Sequence, residues 1–359
     1  MPALALSIAL LRGLAGCGGD APRPPAARPA REALRENAPD AFEQLFQLEH
    51  RVRLAEAAED PIGEVMDLEV WDGKLVVVDG IQANLKVFDR DGRLVQTIGR
   101  PGDGPGEFRQ PWRAAVVAGD RLAVLDLAHS HLSLFAPGGV YERRWSLPGF
   151  VASSLMPLDG GEQLVIALQI VADGRSLSPY ALHVFDLAGR RLESFRETPQ
   201  PTRPGEANAM MLVAARVGSV VVSAPYATNR ILHHDLRTGR EWTVVAGESI
   251  YREPEWSRWR VGERVSPSVY QEWFRRQMWL TKLVALDSSR YAAGFTIWGS
   301  GPGASYQYAV LTADGTELVT TKPTPRALFR VYGGTAYATV TLDDGSTLLE
   351  TYRVRLPSP

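Results

Sequence analysis

Four segments of this 359-residue chain are edited copies of one another. They read Leu85-Lys-Val-Phe-Asp-Arg-Asp-Gly92, Leu132-Ser-Leu-Phe-Ala-Pro-Gly-Gly139, Leu182-His-Val-Phe-Asp-Leu-Ala-Gly189 and Ile231-Leu-His-His-Asp-Leu-Arg-Thr-Gly239. Their starts lie 47, 50 and 49 residues apart. An apolar strand closed by a glycine turn cannot bury both faces by itself, and stacked copies can. Recurrence at this period is the mark of a β-propeller blade. The repeat therefore specifies an all-β chain of four-stranded antiparallel blades. It leaves the function to the loops at one end of the ring.

The first blade is the most legible. Val65–Val70 reads as its inner strand and Asp72-Gly73 as the turn. Lys74–Asp79 is a second strand whose Val-Val-Val run suits burial on both faces. Leu85–Asp89 is the third strand, Asp91-Gly92 the next turn, and Arg93–Ile98 the outer strand. Glycine in these turns takes the positive φ that a tight hairpin needs. Further blades follow over Ala114–Leu147, Val151–Phe195 and Met211–Val245.

The interval then breaks. From Gly239 to the next equivalent turn, Asp314-Gly315, is 76 residues, one blade plus an insertion over about 248–282. Within it Ser266-Pro267 resembles a helix start, an N-cap residue followed by proline in the first turn. A fifth blade is expected over Leu283–Thr321. The sixth offers only three strands, Ala327–Tyr332, Thr335–Leu342 and Leu348–Leu356. The alternating segment His50–Ala55 is predicted to supply its missing outer strand, closing a six-bladed ring and hiding its edges.

Composition narrows the partners. With 39 basic and 41 acidic residues the formal charge is −2, which gives no global field for nucleic acid. The one cysteine, Cys17, excludes a disulfide within the chain. It follows an apolar run too short to span a bilayer. Leu14-Ala15-Gly16-Cys17 resembles the bacterial lipobox, which implies a signal peptide over 1–16, acylation of Cys17 and a lipid anchor. Residues 17–41 are rich in proline and alanine and read as a tether, leaving 42–357 for the propeller. The expected location is the cell envelope, lipid-anchored, on the periplasmic side or at the outer membrane.

Val77-Val-Asp-Gly-Ile-Gln-Ala-Asn-Leu-Lys-Val-Phe-Asp-Arg-Asp-Gly92 resembles an NHL-type repeat. The segment after it, Ile98-Gly-Arg-Pro-Gly-Asp-Gly-Pro-Gly-Glu-Phe-Arg-Gln-Pro111, is similar to that of bacterial six-bladed β-propeller lipoproteins, a group mostly without assigned activity. The full match covers about 65–111, and the later blades match in outline. Trp-Asp ends and Gly-His starts, which mark WD-type propellers, are missing from the blades. The glycine run Gly99–Gly106 lacks a Lys-Ser/Thr ending and opens no helix, so it reads as a tight crossing rather than a phosphate loop.

In such a ring the second-to-third loops and the blade crossings share one face, the mouth usually used for binding. That places Gln82 and Asn84 of blade one there, with Glu107, Arg109 and Trp112 of the first crossing. His129 and His131 of blade two, Tyr226, Asn229 and Arg230 of blade four and Trp298 of blade five join them. Aromatics, amides and a few charges at one mouth make a candidate ligand site. His129 and His131 stand two apart on a strand, so both side chains point the same way and could share a metal, but no third ligand is identifiable. Asp79 and Asp126 recur at one blade position, which speaks for braces. The insertion holds Trp256, Trp259, Trp273 and Trp279 among arginines, either a contact surface or a packed helix. No Gly-x-Ser-x-Gly elbow is present.

The expectation is a monomeric, membrane-tethered, non-catalytic module that binds a protein, peptide or glycan at its loop face, without a cofactor. The alternative is a propeller enzyme of the lyase or lactonase kind with a divalent metal in the channel. A purely structural envelope component is the third reading.

Overall fold

The computed structural model describes residues 40–55, 61–148, 150–169, 171–172, 175–176, 179–197, 211–258, 266–298 and 303–356. The expected signal peptide, Cys17 and almost all of the expected tether lie outside the described residues. A short helix, α1 (Ala41–Leu45), leads into β1 (Phe46–Arg53). Six four-stranded antiparallel sheets follow the repeat. Blade one comprises β2 (Val65–Trp71), β3 (Lys74–Asp79), β4 (Asn84–Phe88) and β5 (Leu94–Ile98). Blade two comprises β6 (Pro111–Val117), β7 (Arg121–Asp126), β8 (His131–Ala136) and β9 (Val140–Ser146).

Blade three comprises β10 (Phe150–Leu158), β11 (Gln163–Gln169), β14 (Tyr180–Asp186) and β15 (Arg191–Glu197). Between its second and third strands projects a small hairpin, β12 (Val171–Ala172) and β13 (Arg175–Ser176). Blade four comprises β16 (Leu212–Val217), β17 (Val220–Pro225), β18 (Arg230–Asp235) and β19 (Glu241–Val245). After the insertion, blade five comprises β20 (Met278–Ala285), β21 (Arg290–Trp298), β22 (Ala304–Thr312) and β23 (Glu317–Thr320). Blade six has β24 (Ala327–Tyr332), β25 (Thr335–Thr341) and β26 (Thr347–Val354), and takes β1 as its outer strand.

The copied segments now have a physical reading. Their phenylalanines, Phe88, Phe135 and Phe185, are buried between sheets. The aspartate that follows makes an Asx turn. Asp89 Oδ1 accepts from the Asp91 and Arg93 N–H groups at 2.9 Å each, and Asp186 Oδ1 from Ala188 and Arg190 at 3.0 and 2.8 Å. The closing glycines have positive φ, and Gly92 also lies against the outer strand of the preceding blade. A Cβ there would meet Val52 at 2.7 Å. Middle strands such as β4 are buried throughout, while the outer β5 and β9 face solvent.

Ring closure is as the missing strand implied, although β1 starts at Phe46, four residues before the expected His50. It pairs antiparallel with β26, from Phe46 opposite Val354 to Arg53 opposite Leu348. Glu350 of β26 is buried and receives Arg51 of β1 at 2.6 Å, Arg326 at 3.0 Å and the Tyr352 hydroxyl. Phe42 and Phe46 pack their rings on Tyr352, and Phe42 also meets Tyr308. A buried carboxylate with two guanidiniums and a hydroxyl is a paired charge, without which burial would be costly.

The insertion ends earlier than expected. Met278 to Lys282 belong to β20, paired to β21 with Lys282 opposite Gly294, so the insertion stops at Gln277 instead of Lys282. Helix α2 (Pro267–Arg276) starts where Ser266-Pro267 indicated, with Ser266 Oγ accepting from the Val269 N–H at 3.4 Å. Its Trp273 is buried against Trp256 and Trp279, with ring centroids at 5.3 and 5.7 Å. Trp256 and Trp273 of the insertion thereby join the hydrophobic core shared with blades two to five. Trp259 lies outside the described residues.

Candidate functional site

Inner strands give this ring its chemistry. In five blades the register of the inner strand skips, by one residue in four of them and by two, Val151 and Ser153, in blade three; the last skipped residue in each, Met66, Trp112, Ser153, Thr281 or Phe329, has no partner on the second strand. Such β-bulges re-aim the side chains next to them. The residue immediately after each last skipped position is Asp67, Arg113, Ser154, Lys282 or Arg330. Four of these five carry charge inside otherwise apolar strands.

Their contacts cross the axis. Arg330 of blade six donates to the Leu68 carbonyl of blade one at 3.0 Å and, beyond it, to Ala114 of blade two at 3.2 Å. It also pairs with Glu69 at 2.9 Å. Arg113 of blade two donates to the carbonyls of Met66 and Trp112 at 2.9 and 2.8 Å, and its charge lies close enough to the buried Tyr226 hydroxyl of blade four to oppose the upward push of burial. Asp67 accepts from the N–H of Leu68 at 3.0 Å and of Ala114 at 3.1 Å. Ser154 Oγ makes the equivalent bond to the Ala214 N–H of the next blade at 3.0 Å. These groups thus stitch blade to blade around the channel.

Lys282 is different. Its Nζ sits 3.4 Å from the centroid of the Phe329 ring, a cation–π contact. Among the described residues it has no ion pair and no hydrogen-bond acceptor. Burial, and then the facing Arg113, push its ammonium down to about 7, against the pull of Asp67 and Glu64. Burial, and then Asp79, raise the Glu64 carboxyl. Burial likewise raises Glu69, with Arg330 opposing. Ionisable groups shifted by burial and by named neighbours, gathered from different blades, mark a candidate site.

The residues singled out by loop position divide. Asn84 is buried and accepts from Lys86 Nζ at 2.9 Å on the same strand, and Asn229 Nδ2 donates to the Ala246 carbonyl at 3.0 Å, bracing its loop. Gln82 is partly exposed and gives its N–H to Asp79 at 3.0 Å. Trp298 packs on Phe274 of α2 at 5.4 Å, and Arg230 is exposed. Trp112 and Tyr226 are buried core residues beside Arg113, whose guanidinium lies 5.0 Å from the Trp112 ring.

Asp79 and Asp126 are braces, as their recurrence implied. Asp79 accepts from the N–H groups of Gly63, Glu64, Ile81 and Gln82. Asp126 accepts from Arg109, Gln110 and His129. Each ties a crossing to a second-to-third loop.

Glu107, Arg109, His129 and His131 gather at the first crossing. His129 bridges Asp126 at 2.9 Å and Asp103 at 2.6 Å. Arg109 holds Asp103 from its other side, and these two partners lower the Asp103 carboxyl to about 2, Arg109 first. Glu107 accepts from Arg100 at 2.7 Å and from the Gly104 N–H at 2.8 Å. His131 stacks on His129 at 5.5 Å, and its Nδ1 is buried without a partner among the described residues. Among those residues no group of three or more His, Cys, Asp or Glu is placed to hold a metal ion. On the opposite face a groove of about 370 Å³ runs between blades two and three, lined by Ala118, Gly119, Gly160, Gly161 and Arg216.

Loop-based reasoning missed Asp67, Arg113, Lys282 and Arg330. A signal was available: each is a charge within the apolar first strand of a blade. Lys282 carries a second one, because only four of the 39 basic residues are lysines (Lys74, Lys86, Lys282 and Lys322).

Comparison with known proteins agrees with the ring. The family model described as 6-bladed beta-propeller (DUF5128) matches residues 40–214. No curated protein matches the chain. Among solved structures, a Bacteroides fragilis protein described as exported is 12% identical with a TM-score of 0.60, covering 88% of this chain and 97% of its own. A member of the DUF4221 family from Bacteroides vulgatus is 10% identical with a TM-score of 0.61, covering 87% and 98%. A protein described as a gluconolactonase is 17% identical with a TM-score of 0.50, covering 88% and 96%. Identities this low speak for fold alone. The chain is a six-bladed β-propeller, similar over residues 40–214 to that family and over most of its length to the two Bacteroides structures.

Proposed function

We propose that this propeller is a non-catalytic binding module of the cell envelope whose ligand, a protein, peptide or glycan, enters the channel from the face of the blade crossings. The observation that carries this reading is the convergence of Arg113, Tyr226, Lys282 and Glu64 from separate parts of the ring at one mouth. Concave sites with a few convergent polar groups among apolar walls are where ligands bind. Trp112, Phe329 and Met66 supply the apolar part. Cys17 tethers the module to a membrane through an attached lipid, which labelled palmitate incorporation in wild type and Cys17→Ser tests; equal labelling removes the anchor.

The chain has six methionines, so methyl-labelled methionine reports on binding site by site. Met66 is partly buried and its carbonyl accepts from Arg113 at 2.9 Å, and Met156 is buried within blade three. Fragments found by ligand-detected NMR are expected to shift the Met66 methyl and leave Met156 unchanged. Hits that leave Met66 unmoved overturn the reading. The alternative, a metal-dependent enzyme of the lyase or lactonase kind, is separated by metal analysis of purified protein beside His129→Ala. A stoichiometric metal lost in the variant would replace the binding reading.

A further inference from the structure

We propose that the crossing-face end of the channel binds a carboxylate group of its ligand between the Lys282 ammonium and the Arg113–Tyr226 pair. The inference rests on the channel mouth being the ligand site, and names the group that anchors there.

The argument is one of unmet hydrogen bonds. Asp67 is committed to two N–H groups, and Glu69 to Arg330 and to the Val70 N–H at 2.9 Å. Arg330 is committed to two carbonyls and Glu69. Nη1 of Arg113 is committed to two carbonyls, and the guanidinium lies near the Tyr226 hydroxyl. The Lys282 ammonium, with three donors, has only a ring face among the described residues. Lys282 and Arg113 are like charges from opposite sides of the ring, and each makes the other less comfortable. One anion placed between them relieves both. A carboxylate carries a single charge and two oxygens, which suits an ammonium beside one guanidinium–hydroxyl pair. A doubly charged phosphate would bring more repulsion from Asp67 and Glu64.

The choice of lysine in a chain where arginine dominates has a consequence. An ammonium pushed down to about 7 is half-charged near neutral pH. Glu64 and Asp67 pull it toward the charged form and Arg113 pushes it away, with Arg330 and Glu69 beyond Asp67. A bound carboxylate adds opposite charge and raises it. Binding then takes up a proton, and affinity follows the charged fraction of free Lys282. That fraction falls about tenfold from pH 6 to pH 8 for a midpoint near 7.

Four lysines make the test direct. Full-length protein carrying ε-13C lysine gives four resonances, and Lys282→Arg assigns the one of interest. The probes are N-acetylalanine and glucuronate, with N-acetylalaninamide and glucuronamide as uncharged matches. One of the two carboxylates is expected to shift the Lys282 resonance, raise its titration midpoint by at least one pH unit, and bind about tenfold more tightly at pH 6 than at pH 8. The amides are expected to do none of this. Which carboxylate acts tells a peptide source from a glycan source. Lys282→Met should weaken binding at least tenfold, and Lys282→Arg should keep it while losing the pH dependence. The arginine variant also guards against a fold defect in the methionine variant. Amides binding as well as carboxylates, or carboxylates leaving Lys282 unmoved, overturn the proposal. If Met66 still responds to other ligands, only the carboxylate inference falls. If neither group responds, the channel reading falls with it.

Discussion

Ring closure by the N-terminal strand predicts an uneven cost along one short segment. Phe42 in α1 is 1% exposed and packs on Phe46 at 4.7 Å, Tyr352 at 5.6 Å and Tyr308 at 5.9 Å. Arg326 lies 5.6 Å from its ring centroid as well. Truncating a buried phenylalanine costs about 3–5 kcal/mol, transfer and cavity together. The cation–π contact adds about 0.5 kcal/mol. Phe42→Ala should therefore lose about 3–5 kcal/mol. Leu48 sits six residues on, in the same closing segment, but is 45% exposed, so Leu48→Ala should stay within about 0.5 kcal/mol. Urea unfolding followed by tryptophan fluorescence measures both, with hydrogen exchange on β26 amides as a local readout. A loss below about 1 kcal/mol for Phe42→Ala, or equal losses for both variants, would refute closure as the basis of stability there.

Other consequences follow from particular contacts. Asp126→Ala leaves three backbone N–H groups without their acceptor and should cost roughly 2–4 kcal/mol, with faster exchange at Arg109, Gln110 and His129. Gly161→Ala should destabilise far more than Gly138→Ala. Both have φ above +80°, but a Cβ at Gly161 would lie 2.5 Å from the Ala118 nitrogen while Gly138 faces open space. His183 and His233 are buried and held down to about 4 by that burial. The unfolded chain protonates them first, so stability is present above pH 6.5 and lost as pH falls toward 4, on the order of 2–3 kcal/mol each. Urea midpoints at pH 7, 5.5 and 4.5 should fall less steeply in the His183→Gln, His233→Gln double variant.

The fold was legible because each blade repeats the same local solution. Phe-Asp-x-x-Gly states a buried ring, an Asx turn and a positive-φ residue, and each has the role its chemistry implies. The missing sixth-blade strand could be inferred because an open edge needs a partner. The end of the insertion was not legible. Met278-Trp-Leu-Thr-Lys282 mixes large apolar residues with a charge and follows a helix, so neither period separates it from α2. The site was half legible. Trp112 and Tyr226, expected at the loop face, are buried in the core beside Arg113, while Asn84 and Asn229 spend their amides on a neighbouring side chain and loop backbone. Asp67, Arg113, Lys282 and Arg330 stood out as charges within first strands, but where they point depends on the bulges, which follow from pairing register and leave no mark in composition.

The convergence at the channel mouth is tested most directly by the titration of Lys282 in the ligand-free protein, followed by the ε-13C resonance in wild type and in Arg113→Met. The channel geometry predicts a midpoint near 7 in wild type and a higher one in the variant, because Arg113 faces Lys282 and opposes its charge. A midpoint near the ordinary lysine value of about 10.4, unchanged by Arg113→Met, would contradict it.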